Sequence, residues 1–195
     1  FITKLNPAGT GSFFTQFLRG VKDDAGAAVA VDTSGNVYVT GKTFSVNFPT
    51  TSGVVQPAFG GGPLFRSADA AATWSISSAG ITRASLYALA VAPSSPSTIF
   101  AGADDDNGGD VFKSTDGGSN WVAVSAGLTN ARVHAIAVDP STASTVYLGT
   151  RSAGVFKSTN GGASWSPTSL KVGFVTALAV DPVTPATVYA GTDSS

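Results

Sequence analysis

The chain has 195 residues, of which 43% are hydrophobic and 12% are charged, and its formal net charge is −1. This length suits one sizeable core or an array of repeats, and the balanced charge offers no basic patch to nucleic acid or to an anionic membrane. No apolar run approaches the roughly 20 residues that span a bilayer, and the lack of cysteine excludes disulfides and thiolate metal ligands, so we expect neither nucleic-acid binding nor membrane insertion.

The first third of the chain predicts two β-hairpins. Residues 1–18, "FITKLNPAGTGSFFTQFL", place Asn-Pro-Ala-Gly between two short β runs, and residues 27–43, "AAVAVDTSGNVYVTGKT", place Ser-Gly-Asn at the turn. The phrases "KLNPAG", "AVAVDTSGNVYVTG" and "NFPTT" resemble the bacterial β-propeller repeat called SBBP. The resemblance covers residues 1–63 and implies blades of four strands. Because the sequence contains no methionine, we expect a processed product or a part of a longer protein.

A second type of hairpin follows three times and ends each time in a tryptophan. Its copies are "LFRSADAAATWSI" (64–76), "VFKSTDGGSNWVA" (111–123) and "VFKSTNGGASWSP" (155–167). We expect the Asp or Asn to accept hydrogen bonds from backbone amides one or two residues ahead, and the Ser hydroxyl to close the loop. Gly supplies a positive φ, and Trp enters the next strand as an apolar anchor between blades. The predicted structural positions are Ser67, Asp69, Trp74, Ser114, Asp116, Gly118, Trp121, Ser158, Asn160, Gly162 and Trp165.

Between these hairpins the chain repeats a third phrase. Its copies are "YALAVAPSSPSTIFAGA" (87–103), "HAIAVDPSTASTVYLGT" (134–150) and "TALAVDPVTPATVYAGT" (176–192). Each predicts two short strands, here called A and B, and each tryptophan hairpin predicts strands C and D. No segment predicts a helix. Steps of about 40–50 residues between tryptophans are typical of four-stranded propeller blades.

Residues 64–195 resemble the Asp-box, or BNR, repeat. This repeat occurs in sialidases, sortilin-type receptors, xyloglucan-cleaving glycoside hydrolases and photosystem assembly factors, so the resemblance implies a β-propeller and says little about activity. Two copies depart from the pattern, because Ala71 stands in place of the glycine and Asn160 in place of the aspartate. The whole chain is thus interpreted as one all-β propeller array of about four blades.

The two ends are complementary halves of a blade. Residues 1–18 predict strands C and D without A and B, and residues 176–192 predict strands A and B without C and D. The ends could pair within one chain, pair between two chains, or belong to a longer propeller. Because unpaired strand edges invite association, an isolated open monomer is the least favoured state.

The phrase "ADDDNGGD" forms an acidic loop with Asp104, Asp105, Asp106 and Asp110. Three interpretations remain open: a solvated turn, a Ca²⁺ or other cation site with Asp104, Asp106 and Asp110 as weak candidate ligands, or part of a catalytic Asp pair. The pair Asp23 and Asp24 is a further carboxylate candidate. A solvated turn is favoured.

The residues offer little support for other catalytic chemistry. His134 is the only histidine, and we interpret it as a polar residue at a blade edge. The sialidase resemblance would imply a tyrosine activated by glutamate, but the chain contains no Glu. Arg66, Lys113 and Lys157 share one repeated position, where we expect their stems to cover strand C.

The sequence therefore predicts a structural and interaction scaffold without an assigned catalytic residue or cofactor. We expect it outside the cell, secreted, at a bacterial-type surface or in the periplasm, with rim loops that bind a protein or polysaccharide. One alternative is a carbohydrate-active, glycoside hydrolase-like propeller that uses an Asp pair. Another is a self-assembling module that joins other copies through its terminal strands.

Overall fold

The computed structural model describes residues 2–17, 20–43, 45, 64–69, 72–82, 85–104, 109–129 and 131–193. Within these ranges the chain is entirely β-structure and turns, and every pair of neighbouring strands is antiparallel. Over the same residues there is no helix with the length and hydrophobicity needed to cross a membrane. The predicted all-β fold class is confirmed.

The strands follow the predicted order of hairpins. In chain order they are β1 (Ile2–Leu5), β2 (Ser12–Gln16), β3 (Asp24–Val31), β4 (Val37–Thr43), β5 (Phe65–Ser67), β6 (Ser75–Ile76), β7 (Leu86–Ala92), β8 (Ser95–Ala103), β9 (Val111–Ser114), β10 (Val122–Ala123), β11 (Val133–Val138), β12 (Val146–Thr150), β13 (Val155–Ser158), β14 (Ser166–Pro167), β15 (Phe174–Val180) and β16 (Val188–Asp193).

Twelve of these strands form three four-stranded sheets. Blade I is β3–β4–β5–β6, blade II is β7–β8–β9–β10, and blade III is β11–β12–β13–β14. The hairpins β1–β2 and β15–β16 form separate two-stranded sheets, as expected for half-blades at the two ends. The proposed boundary between residues 63 and 64 falls between β4 and β5, which pair within blade I.

The blades stack face to face in an arc. The first strand of each blade contacts the first strand of the next, so that β7 lies against β3, β11 against β7 and β15 against β11. Each interface buries apolar side chains from two blades; Tyr38 and Leu64 of blade I, for example, share a cluster with Ile99 and Phe112 of blade II. In the described part of the chain the arc is open, because β16 is not paired with β1. The fold is therefore a propeller type with an unclosed ring.

The turn between β9 and β10 shows why the Ser-x-Asp-x-Gly-x-x-Trp phrase recurs. The Asp116 carboxylate accepts hydrogen bonds from the Asn120 backbone nitrogen at 2.9 Å, the Asn120 side chain at 2.8 Å and the Ser114 hydroxyl at 2.8 Å. Ser114 in turn accepts from the Gly118 nitrogen at 2.9 Å, and Gly118 has a φ of 88°. The capped amide lies four residues ahead of the Asp and not one or two, because the loop bends around the carboxylate before the tryptophan.

The other two turns reuse this geometry with different residues. In the turn between β13 and β14, Asn160 Oδ1 accepts from the Ser164 nitrogen at 2.9 Å, and the Ser158 hydroxyl contacts the Gly162 nitrogen at 2.9 Å. In the turn between β5 and β6, Asp69 accepts from the Thr73 nitrogen at 2.9 Å. Ala71, which stands in place of the glycine of the pattern, lies outside the described residues.

Each tryptophan packs against the blade that precedes it. The Trp165 indole nitrogen donates to the Val124 carbonyl at 2.7 Å, and its backbone nitrogen donates to the Ala126 carbonyl at 3.0 Å. Trp121 likewise donates its backbone nitrogen to the Ala79 carbonyl of blade I at 2.8 Å. All three indoles are buried, at 3–4% exposure. At the interfaces of blades II and III, the tryptophan is thus buried and bonded to the preceding blade.

A glycine after the fourth strand permits this approach. Gly80 and Gly127 have φ near 90°, and a Cβ at these positions would lie 2.0 and 2.4 Å from the carbonyl oxygens of Trp121 and Trp165. Such contacts are too short for any side chain. Each of these two interfaces is therefore a clasp, in which the tryptophan backbone of one blade lies on a glycine of the blade before it.

The recurring aspartates of the "VD" phrases cap the turns between first and second strands, as expected. Asp139 accepts from the Ser141 and Thr142 nitrogens, and Asp181 accepts from the Val183 nitrogen at 2.8 Å. Hydrogen bonds, chiefly from the Ser141 side chain, lower the pKa of Asp139, and backbone hydrogen bonds lower the pKa of Asp181. These carboxylates are engaged as structural caps.

We predict that acid destabilises the second tryptophan turn through Asp116. Hydrogen bonds from Asn120 and Ser114 lower the pKa of Asp116 from 3.8 to about 2 in the folded state. This contribution to stability is complete above the unfolded pKa of about 4 and is lost as the pH falls towards 2. Asp116→Asn should therefore flatten the decrease of melting temperature between these values, measured by circular dichroism.

The turn between β13 and β14 allows the reverse substitution, from Asn to Asp. Asn160→Asp should steepen the same decrease, because it places a carboxylate where the Ser158 hydroxyl and the Ser164 nitrogen donate. Identical acid profiles for wild type and both variants would contradict this account of the turns.

A second prediction tests the glycine clasp. Gly127→Ala should lower the free energy of unfolding by about 1–3 kcal/mol, because alanine is strained at this φ and its Cβ collides with the Trp165 carbonyl. Gly173→Ala is the control, since a Cβ there meets no atom within 4 Å. Urea unfolding measures both, and equal stability of the two variants would rule out the clasp.

Candidate functional site

Polar and aromatic side chains from blade II, blade III and the hairpin β15–β16 meet at one end of the first strands. The first strands are the elements through which successive blades touch, so residues at their starts and at the ends of their hairpin partners come close together. We call this group the rim cluster. It consists of Tyr87, Asp104, Arg132, His134, Arg151 and Phe174.

Asp104 is the centre of the rim cluster. It follows β8 directly, and its backbone nitrogen donates to the Ser85 carbonyl at 3.0 Å. Its carboxylate contacts His134 Nε2, lies 3.3 Å from Arg132 Nε, and lies 3.8 Å from Arg151 Nη1. The side chain is only 6% exposed. A carboxylate buried to this degree needs such partners, because desolvation of an unpaired charge is costly.

Two aromatic rings hold the histidine. The His134 ring lies 4.8 Å from Tyr87 and 4.5 Å from Phe174, centroid to centroid, and its contact with Phe174 is edge-on. The Arg151 guanidinium carbon lies 5.9 Å from the Phe174 ring centre. Stacking and the hydrogen bond to Asp104 together fix the orientation of the imidazole.

In the rim cluster the carboxylate is buried and the guanidinium groups are more exposed. Asp104 is buried, whereas Arg132 is 28% exposed and Arg151 is 53% exposed at the side chain. Within the rim cluster, two guanidinium groups thus accompany one carboxylate. Exposed guanidinium groups bind carboxylate, sulfate or phosphate oxygens in a bidentate manner. The arrangement therefore suits an anionic group.

The acidic loop does not supply a metal-ligand set in the described ranges. Asp104 has cationic neighbours, which disfavour a cation at this carboxylate. Asp106 lies outside the described residues, and the backbone carbonyl of Asp110 accepts from the Ala103 nitrogen at 2.8 Å. Among the residues whose placement is described, no three His, Cys, Asp or Glu side chains are grouped as metal ligands. A cation in this loop stays a prediction.

The other predicted residues lie elsewhere. Those of the three tryptophan hairpins sit in separate turns between third and fourth strands, away from the rim cluster. His134 lies on β11, an edge strand of blade III, as its interpretation as a blade-edge residue required. What that interpretation did not include is its contact with Asp104.

Sequence reasoning missed four members of the cluster. Tyr87 occupies the same repeat position as His134, and Arg132 occupies the same position as Phe174. The sequence did contain a signal. Equivalent positions carry a polar residue in one copy of the repeat and an aromatic residue in another, whereas a position with a purely structural role would keep one residue type. Arg151 aligns with Asp104 in the same way, and these two side chains face each other across blades.

Known proteins support the fold. A family model described as SBBP, beta-propeller repeat, matches residues 13–49. No curated protein matches the chain.

Three solved structures show the same architecture at low identity. A GH74 enzyme from Niastella koreensis gives a TM-score of 0.65 at 21% identity, covering 86% of this chain and 26% of that one. A GH74 xyloglucanase from Xanthomonas campestris gives 0.53 at 20% identity, covering 73% and 23%. A gluconolactonase from Xanthomonas campestris gives 0.65 at 12% identity, covering 97% and 61%. The chain thus spans less than two thirds of each, and the likeness shows the propeller fold.

We predict that the Asp104 carboxylate stabilises the junction of blades II and III. Asp104→Asn should lower the free energy of unfolding by about 1–3 kcal/mol, because Arg132 and His134 lose a charged acceptor in a mostly buried place. The control is Asp23→Asn at an exposed position. Equal free energies of unfolding for the two variants in urea would mean that the Asp104 carboxylate does not stabilise this junction.

Proposed function

We propose that this chain belongs to a β-propeller that serves as an interaction scaffold and binds an acidic partner through the rim cluster. The observation that carries the proposal is the convergence of Arg132, His134 and Arg151 on the buried Asp104. Asp104 holds the two guanidinium groups and the imidazole in place, and Arg151 presents its guanidinium to solvent. A rigid group of this kind loses little conformational entropy on binding.

The chemistry of the cluster indicates the class of partner. Arg151 lies beside the Phe174 ring, and His134 lies between Phe174 and Tyr87. Flat apolar faces next to a guanidinium suit a partner that combines apolar surface with carboxylate groups. A protein segment or a polysaccharide with such groups meets this requirement.

We assign the tryptophan hairpins to the Asp-box, or BNR, type. The support is the shared turn geometry, in which an Asp or Asn caps an amide four residues ahead and the tryptophan follows directly. In this assignment the boxes are structural, and they keep the blades in register while the rim makes contacts. We further place the chain outside the cell, at the surface or in the periplasm, on the basis of its low charge and lack of cysteine.

The second candidate function is glycoside hydrolysis by an Asp pair. It is favoured by the likeness to GH74 structures, which is a likeness of fold. Most described aspartates outside the cluster cap turns, and Asp104 faces cations, so neither set resembles a free acid and base pair. Hydrolysis of xyloglucan or bacterial polysaccharides that is lost in Asp104→Asn would favour this alternative.

We predict that Arg151 dominates the binding of acidic partners. Arg151→Ala should weaken binding to an acidic polysaccharide such as polygalacturonate roughly 10- to 100-fold, since a hydrogen bond to a charged group contributes about 1.5–3 kcal/mol. Isothermal titration calorimetry measures the affinity. Lys22→Ala is the control, because it removes an exposed cation outside the cluster.

The same titration with an acidic peptide distinguishes the two kinds of partner. Binding of the peptide alone would indicate a protein ligand. Equal affinities of wild type and Arg151→Ala for every acidic probe would exclude the rim cluster as the binding site.

A further inference from the structure

His134 is the group of the rim cluster whose charge changes near neutral pH. Histidine ordinarily titrates between about pH 5 and pH 8, whereas carboxylates, phenols and guanidinium groups keep their charge in this range. It is also the only histidine of the chain. The charged members of the cluster beside it are Asp104, Arg132 and Arg151. Protonation of His134 therefore adds a positive charge next to a buried carboxylate and two guanidinium groups.

The contact with Asp104 determines where this proton binds. The Asp104 carboxylate contacts Nε2 of His134, and a carboxylate accepts hydrogen bonds but does not donate them. Nε2 therefore carries a hydrogen in the neutral and in the charged imidazole, and the additional proton binds at Nδ1. The His134 side chain is 16% exposed, so solvent supplies and removes this proton.

Of the two guanidinium groups that share the carboxylate, that of Arg151 is held less firmly. Arg132 Nε lies 3.3 Å from Asp104, whereas Arg151 Nη1 lies 3.8 Å from it, which is beyond the length of a hydrogen bond. The Arg151 side chain is also the more exposed, at 53% compared with 28%. An incoming anionic group therefore competes with Asp104 for Arg151 first.

A partner that draws Arg151 away makes protonation of His134 more favourable. The Asp104 side chain is only 6% exposed, and a buried carboxylate that loses a cationic neighbour is destabilised. An imidazolium in contact with the same carboxylate restores the lost charge. Anion binding therefore favours the protonated form of His134. Because coupled binding equilibria are reciprocal, the proton favours the anion to the same extent.

The elements packed around His134 hold the ring in both states. Tyr87 of β7 and Phe174 of β15 lie at 4.8 and 4.5 Å between ring centroids, and aromatic neighbours are favourable for a cation. Two further carboxylates lie on the neighbouring elements: Asp110 beside the end of β8, and Asp193 opposite Phe174 in the register of β15 and β16. Aspartates and tyrosines ordinarily keep their charge between pH 5 and pH 8. The change of charge in this range is therefore that of the imidazole.

We propose that the rim cluster binds its anionic partner together with one proton, which His134 takes up at Nδ1. This inference rests on the proposed function, because it describes the regulation of the same site. When the partner binds, the Arg151 guanidinium turns from Asp104 to the partner, and the imidazolium replaces it as the counter-charge. The proton comes from solvent and returns there when the partner dissociates.

The sign of the pH dependence follows from this exchange. The partner prefers the site with a protonated His134, so its affinity is lowest where the imidazole is neutral, at about pH 8. The affinity rises as the pH falls to about 5.5 and becomes constant once the imidazole is fully protonated.

Titration calorimetry measures the proton directly. Polygalacturonate, whose carboxylates are ionised at about pH 6.5, is titrated into the chain in MES and in Bis-Tris buffer. The two buffers have different heats of ionisation, so the difference between the observed enthalpies gives the protons taken up per binding site. Wild type should take up a fraction of a proton at this pH. Its affinity should rise about 5-fold or more between about pH 8 and about pH 5.5.

The variant His134→Gln isolates the imidazole from other titrating groups. Glutamine retains an amide donor for Asp104 but does not titrate, so both the proton uptake and the pH dependence of the affinity should be lost. Lys22→Ala is the matched control, because it removes an exposed cation outside the cluster and should retain both. Dextran sulfate, which stays fully charged over the whole range, is the second probe and excludes titration of the ligand as the cause.

The outcomes separate this inference from the proposed function. Binding by wild type with no proton uptake, or with the same pH dependence in His134→Gln, would overturn the inference and leave the binding of acidic partners intact. No binding of either probe by wild type at any pH would overturn the proposed function and the inference with it. The comparison of buffers uses wild type alone, so it decides the matter even if His134→Gln does not fold.

Discussion

The structure depends on the close approach of one backbone to another at the junction of two blades. A four-stranded sheet of this size cannot bury both faces alone, so its stability comes from its neighbours. The tryptophans of blades II and III bring their main chains onto glycines of the preceding blade, at Gly80 and Gly127. The indole then fills the space between the sheets, and the capped turn fixes its position. The register and spacing of the blades and the burial of the indoles follow from this contact.

The rim cluster is a consequence of the same packing. Blades held at a constant spacing bring the starts of their first strands together, so residues far apart in sequence come into contact. Asp104 and His134 belong to different blades and meet only because β7 and β11 lie side by side. The repeat therefore supplies a frame, and substitutions at a few repeat positions supply the chemistry. This explains why the tryptophan hairpins themselves carry little information about a ligand.

Much of the fold could be predicted from local signals. The tryptophan phrase contains its own caps and its own positive-φ glycines, so the hairpins and the order of four strands follow from short stretches of sequence. The rim cluster could not be found in this way, because Asp104, Arg132 and Arg151 interact across blades and no local pattern reports which repeat positions face each other. The amide that Asp116 caps was predicted one or two residues ahead instead of four for a related reason. The bend of the loop depends on two successive glycines with left-handed φ.

Contacts that extend only from one blade to the next have a thermodynamic consequence. In such a linear array the free energy is a sum over units and junctions, so cooperativity decays with distance along the stack. Within the described residues, β7 of blade II contacts β3 of blade I on one side and β11 of blade III on the other. Local opening of β8 should therefore disturb two junctions at once, and amide hydrogen exchange should be slow in this strand.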